Sequence, residues 1–165
     1  MADPDPKSDG AAPTVDATAP EFALQSVYLK DCSFEAPKGP RIEGAWTPNL
    51  NLDLNTSSET ISPEVREIVL TVSVAAKLGD ATAFVVEVKQ AGLFLVRNVS
   101  DEDYRRAVAS VAPSILFPYA RAAVAQLVSQ GGFPQLVLPP VNFDVLYARA
   151  VADGQQQAQT SGLNS

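Results

Sequence analysis

The sequence predicts an α+β domain: a four-stranded antiparallel sheet with helices on one face. Three features carry this expectation. The stretch "NLNLDLN" (Asn49–Asn55) alternates polar and apolar residues without a break, which places Leu50, Leu52 and Leu54 on one side of a strand. Val65 to Val96 alternates in the same way around a Leu78-Gly79-Asp80-Ala81 turn. After Ser100 the apolar period changes from two to 3.6. Strands followed by helices, rather than alternating with them, favour an antiparallel sheet with helices segregated to one face.

Each element follows in order. Glu21–Glu35, rich in Phe, Val, Tyr and Leu, reads as the first strand. "APKGPRIEGAWTP" (Ala36–Pro48) holds three Pro and two Gly and reads as a long crossover loop carrying Trp46. Leu50–Asn55 is the second strand, and "TSSETISPE" (Thr56–Glu64) reads as turn chemistry. In the third strand Ile68, Leu70, Val72, Val74 and Ala76 share one face, with Glu67, Thr71, Ser73 and Lys77 opposite. Thr82–Val96 returns as the fourth, with Phe84, Val86 and Val88 on one face and Val85, Glu87 and Lys89 on the other.

Ser100 with Asp103 opens a short helix in the manner of a capping box. Pro113 opens a second helix of about 18 residues, ending at Gly131-Gly132, with Leu116, Ala120, Ala123, Val124 and Leu127 on one face. Pro118 either kinks this helix or marks its true start. "GGFPQLVLPP" is an extended linker, and a last helix from Asn142 to Asp153 aligns Phe143, Leu146, Tyr147 and Ala150. Gly154 is expected to stop it.

Of the 165 residues, 1–20 hold four Asp, four Pro and one Lys with almost no large apolar side chain. Such an arm cannot bury enough surface to offset its ordering entropy and is expected to be disordered. The tail 154–165, "GQQQAQTSGLNS", reads the same way, which leaves 21–153 as the folded domain.

The acidic balance, 19 Asp+Glu against 12 Lys+Arg, argues against nucleic acid and against anionic membrane surfaces. The N-terminus shows no signal-peptide pattern. The uncharged greasy stretch around 107–120 contains two prolines and is expected to be too short to span a bilayer. A single cysteine, Cys32, fits a reducing cytoplasm and reads as a small half-buried strand residue.

Chemistry is sparse. With no His, the Ser-His-Asp and Cys-His arrangements and His-based zinc sites are ruled out. No phosphate-binding glycine loop is present, and no pair of carboxylates stands out as a glycosidase-like couple. The chain is expected to be no enzyme and to use no cofactor or metal. Asp31, Ser33 and Glu35 share one face of the first strand, and Glu87 lies on the polar face of the fourth. They read either as solvated strand surface or as an acidic patch for a basic partner. The leucine face either packs on the domain's own helices or is covered by something else. Trp46 either pins its loop or takes part in binding.

"SILFPYAR" (Ser114–Arg121) followed by "GGFPQLVLPPVNFDVLY" (Gly131–Tyr147) closely resembles the signature region of the SecB family of bacterial export chaperones. "VYLKDCSFEAP" (Val27–Pro37) and "LGDATAFVVEVKQAGLF" (Leu78–Phe94) match the family's other two blocks, so the likeness runs over roughly 22–150. The resemblance implies a cytoplasmic, ATP-independent chaperone. Such a protein holds secretory precursors unfolded, delivers them to the SecA motor ATPase and assembles as a homotetramer, a dimer of dimers. It implies a SecA-facing surface at Asp31, Glu35, Val85 and Glu87. Val85 stands where the family often has Leu. It further implies a client groove at Trp46, Leu50, Leu52, Leu54, Phe143, Leu146 and Tyr147. The arm is longer than is usual in the family. The tail lacks basic residues, so no partner contact is assigned to it. A SecB-like chaperone dedicated to a toxin–antitoxin system is the alternative, and a carrier of small apolar ligands is a third reading.

Overall fold

Strands β1 (Glu21–Glu35), β2 (Asn49–Ser62), β3 (Val65–Leu78) and β4 (Ala81–Arg97) form one antiparallel sheet in the order β1-β4-β3-β2. The computed structural model describes residues 18–162. The expected arm at 1–20 therefore lies, up to residue 17, outside the described residues. The fold class is the one the sequence predicts.

Register explains the burial. Leu54 pairs with Val72 and Val72 with Val88; Leu52 pairs with Val74 and Val74 with Val86; Leu50 pairs with Ala76 and Ala76 with Phe84. Directly opposed residues share a face, so apolar rows cross the sheet on its helix-facing side. Val72, Val74, Ala76, Phe84, Val86 and Val88 are wholly buried there. Each of the larger side chains contributes about 1.5–3 kcal/mol.

The second strand is longer than predicted. β2 continues through "TSSETIS" to Ser62, and only Pro63 and Glu64 turn. The hydroxyl-rich segment suits turns locally, but every residue from Thr56 to Thr60 has a partner on β3. An edge strand tolerates polar side chains, and the ladder outweighs local preference.

The helical region also departs from expectation. Helix α1 (Asp101–Arg106) is N-capped by Ser100, whose Oγ accepts from the Asp103 N–H at 3.1 Å. It does not end before Pro113 but runs through a wide π turn (Ala107–Val111) directly into α2 (Ala112–Gln130). In an unbroken α-helix the Pro113 ring would collide with the carbonyl four residues back. The π turn, closed by Ala112 N–H donating to the Ala107 carbonyl, widens the spiral just before it. Pro118 lies inside α2, so it does not mark the helix start.

The continuous Asp101–Gln130 run is long and apolar enough by length and composition to cross a membrane, contrary to the expectation from the sequence. Leu116, Ala120, Val124 and Val128 are nevertheless fully buried within the domain's core.

Helix α3 (Phe143–Gly162) passes through Gly154, where a stop and a disordered tail were expected. One interior Gly costs about 1 kcal/mol, and Gly154 is followed by glutamines and alanine that favour helix. Cys32, expected to be half-buried, is exposed on edge strand β1. Glu67, expected on the solvent side, is only 7% exposed. The Tyr28 hydroxyl and the Lys30 ammonium both donate to its carboxylate from β1.

Candidate functional site

The residues of the two expected sites lie on opposite sides of the sheet. On the side away from the helices, Asp31 opposes Lys89, Ser33 opposes Glu87 and Glu35 opposes Val85. The register therefore brings Asp31, Glu35, Val85 and Glu87 onto one patch spanning β1 and β4. Lys89 Nζ lies 3.7 Å from Asp31 Oδ2 and 3.7 Å from Glu87 Oε1, and Ser73 Oγ donates to Glu87 Oε2 at 3.0 Å. Val85 is 37% exposed and supplies an apolar spot beside the acids. Lys89 was missed as a member of the patch. Its position two residues after Glu87 on an alternating strand was the available signal.

The cluster of Tyr28, Lys30 and Glu67 lies on the same side of the sheet, nearer its other end. Hydrogen bonds from Lys30 and then Tyr28 hold the Glu67 carboxyl below the usual range. Burial, then Glu67, pushes the Tyr28 phenol up to about 12.

On the helix side the seven expected client residues divide into two neighbourhoods. Trp46 folds back from the crossover loop, its ring 5.6 Å from Phe133 and 6.4 Å from Phe84. Phe34 completes this cluster, 5.6 Å from Phe84 and 6.2 Å from Phe133. Gly131 leaves the room that the Phe34 ring occupies. Trp46 does pin its loop, yet it stays partly open to solvent.

The second neighbourhood is a groove of about 200 Å³ between β2, the π turn and α3. It is lined by Leu54, Thr56, Ala109, Phe143, Leu146 and Tyr147, and closed by Ala150. Thr56 and Ala109 were not anticipated, because only the packing of the π turn against β2 brings them there. Phe143 is buried on Phe117 at 5.7 Å, whereas Leu146 is 42% exposed.

The leucine stripe joins the two neighbourhoods. Leu50 lies in the row of Ala76 and Phe84 beside the Trp46 cluster, and Leu54 opens into the α3 groove. At about 3.3 Å per residue the stripe spans on the order of 13 Å. Leu52 and Leu54 are half-buried, and Leu50 is 42% exposed. Part of the face meets the domain's own helix and part stays open.

Comparison with known proteins decides the family. Residues 15–154 match the family model of SecB, described as preprotein translocase subunit SecB. The chain belongs to the SecB family. It is 46% identical over 151 residues to the protein-export protein SecB of Pseudomonas fluorescens, covering 91% of this chain and 92% of that one. It is 49% identical over 145 residues to the SecB of Nitrosococcus oceani, covering 86% of each. Among solved structures, a Mycobacterium tuberculosis SecB-like chaperone in complex with a ChAD peptide from the HigA1 antitoxin shares the fold. Its TM-score is 0.60 at 14% identity, covering 73% of this chain and 90% of that one.

Proposed function

We propose that this SecB-family chain is an ATP-independent cytoplasmic chaperone that holds secretory precursor proteins unfolded and delivers them to SecA. The observation that carries the reading is the separation of surfaces on one sheet. A partly open apolar strip runs from Trp46 past Leu50 to the α3 groove on one side, and acids stand around Val85 on the other. The strip offers non-directional attraction to polypeptides whose sequences differ. The acidic patch offers charge complementarity to a basic surface, which favours recognition and fast encounter. One subunit can therefore hold a client and face a motor at once.

A single weak groove holds a chain poorly, so several grooves acting together are needed for avidity. We assign a homotetramer, a dimer of dimers, on that ground and on the family. The curated relatives are named for protein export, which favours this reading over a toxin–antitoxin chaperone.

Light scattering on a size-exclusion column tests the assembly: the expected mass is four times the 17.4 kDa chain, with a denatured precursor co-eluting. A lone subunit that fails to slow precursor aggregation overturns the reading. Asp31→Lys with Glu87→Lys is expected to abolish SecA binding in calorimetry while client holding persists. Unchanged SecA affinity would reduce the patch to solvated exterior.

A further inference from the structure

The strand that carries Asp31 and Glu35 is not regular. Leu29 opposes Gln90 and Asp31 opposes Lys89 on the next position of β4, which leaves Lys30 as an extra residue in a β-bulge. That one residue sets which way the rest of the strand faces. Side chains alternate along a strand, so without it Asp31, Ser33 and Glu35 would turn toward the helices, and Cys32 and Phe34 would turn away from them. With it, Phe34 meets Phe84 in the core and the acids stand beside Val85 and Glu87.

The bulge is tied down from two strands away. Lys30 and Tyr28 both donate to the carboxylate of Glu67 on β3, so their side chains cross β4. There Ala91, opposite Tyr28, is small and wholly buried although it faces away from the helices. A second bulge, at Gln25, is held by no side-chain hydrogen bond or ion pair among the described residues.

Stability alone does not account for Glu67. It is nearly buried, and the residue directly opposite it on β2 is Glu59, a like charge that disfavours the carboxylate. A buried ion pair is often replaceable by apolar side chains without loss of stability, and its best-attested use is to specify register. Register is what the Lys30 bulge decides.

We propose that Glu67 is a positioning residue for the acidic patch: by holding Lys30 and Tyr28 it keeps the bulge in place, and with it Asp31 and Glu35 on the side of the sheet that docks SecA. The inference rests on the SecA-docking reading above and adds a determinant that lies outside the patch itself. Loss of the tie leaves residues 31–35 in the docking register only part of the time, and apparent affinity falls by that fraction.

Lys30→Met in the full chain is the sharpest variant, because charge and register give it opposite signs. Removing a cation makes the chain more acidic, which by field alone tightens a basic partner, whereas loss of the bulge weakens it. Calorimetry is expected to show SecA binding about threefold weaker. The Lys30 side chain is 42% exposed, so the fold should persist by circular dichroism and client holding should be unchanged. Glu67→Gln should weaken SecA binding as well, and Lys30→Arg should keep native affinity. A second measurement reads register without SecA. On a Cys32→Ser chain, Ser33→Cys with Glu87→Cys sets two thiols at directly opposed positions. Their disulfide should close about threefold more slowly once Lys30→Met is added. Native or tighter SecA binding by Lys30→Met or by Glu67→Gln, a Lys30→Arg chain as weak as Lys30→Met, or unchanged disulfide closure would each overturn the inference and leave the docking reading intact. A native chain that binds no SecA would sink the docking reading and this role with it.

Discussion

Gly131→Ala isolates one steric contact. Gly131 closes α2 with φ −69° and ψ −4°, a conformation open to any residue, and its N–H donates to the Leu127 carbonyl at 2.9 Å. Backbone freedom is therefore not why glycine stands there. A Cβ would overlap the Phe34 ring, which is held between Phe84 and Phe133. Forcing an extra methyl into a packed core costs about 1–3 kcal/mol. Lowering the entropy of the unfolded chain returns about 0.4–1 kcal/mol. The net expectation is a loss of about 1–2 kcal/mol, or about 2–8 °C in Tm for a chain of this size. Trp46 is the chain's single tryptophan and sits in the same cluster, so its fluorescence during urea unfolding reports directly on the site. Adding Phe34→Leu should remove most of the penalty, giving a coupling of about 1 kcal/mol in a double-mutant cycle. A Gly131→Ala protein as stable as the native one, with no coupling to Phe34→Leu, would refute the reasoning.

The remaining predictions concern neighbouring features. Glu67 has a folded pKa below its ordinary 4.5, so its contribution is complete above that pH and is lost as acid protonates it in the folded state. Tyr28 has a folded pKa raised from 10.0 to about 12, so its contribution is complete below 10 and fades toward 12. Urea midpoints measured against pH should lose part of their acid limb in Glu67→Gln and part of their alkaline limb in Tyr28→Phe; unchanged slopes would count against both assignments. Ser110, 1% exposed in the π turn, donates to Asp144 Oδ1 at 2.6 Å and ties α3 to the helix before it. Ser110→Ala should cost about 1–2 kcal/mol and speed hydrogen exchange along the start of α3 but not in β3 or β4; equal protection in both regions would show that the tie is inconsequential. Leu146→Glu places a charge in the α3 groove at a position already 42% exposed, so the fold should survive by circular dichroism while client affinity falls several-fold. Native affinity in that variant would remove the groove from the client path.

Much of the sheet was legible because alternation is a local property with a global meaning. β1 begins and ends where composition changes, and the buried faces of β3 and β4 are those the alternation names. Thr56–Ser62 looks like turn chemistry until β3 supplies partners for it, and Pro113 looks like a helix start until a π turn makes room for its ring. Gly154 looks like a stop, yet its neighbours carry the helix onward. At Thr56–Ser62 a ladder outweighs the local preference and at Pro113 a widened turn relieves the clash, whereas at Gly154 a cost of about 1 kcal/mol is offset by the helix preference of the residues that follow.

The candidate sites divide in the same way. Asp31, Glu35, Val85 and Glu87 could be placed on polar faces from alternation, but only register puts the two strands side by side and sets Lys89 between two acids. The expected client residues rest largely on the family resemblance, and their separation into a Trp46 cluster and an α3 groove is a matter of packing.

Local pattern and composition suffice for the antiparallel sheet under helices, for the acidic character and for the lack of side chains for His-based catalysis. Periodicity and composition carry that information, because each depends only on residues close together in the chain. Only the folded chain settles which strand lies at which edge, how α3 leans over Leu54, and how Trp46 meets Phe133. Those relations join residues dozens of positions apart, and their energies arise from contacts that no local window contains.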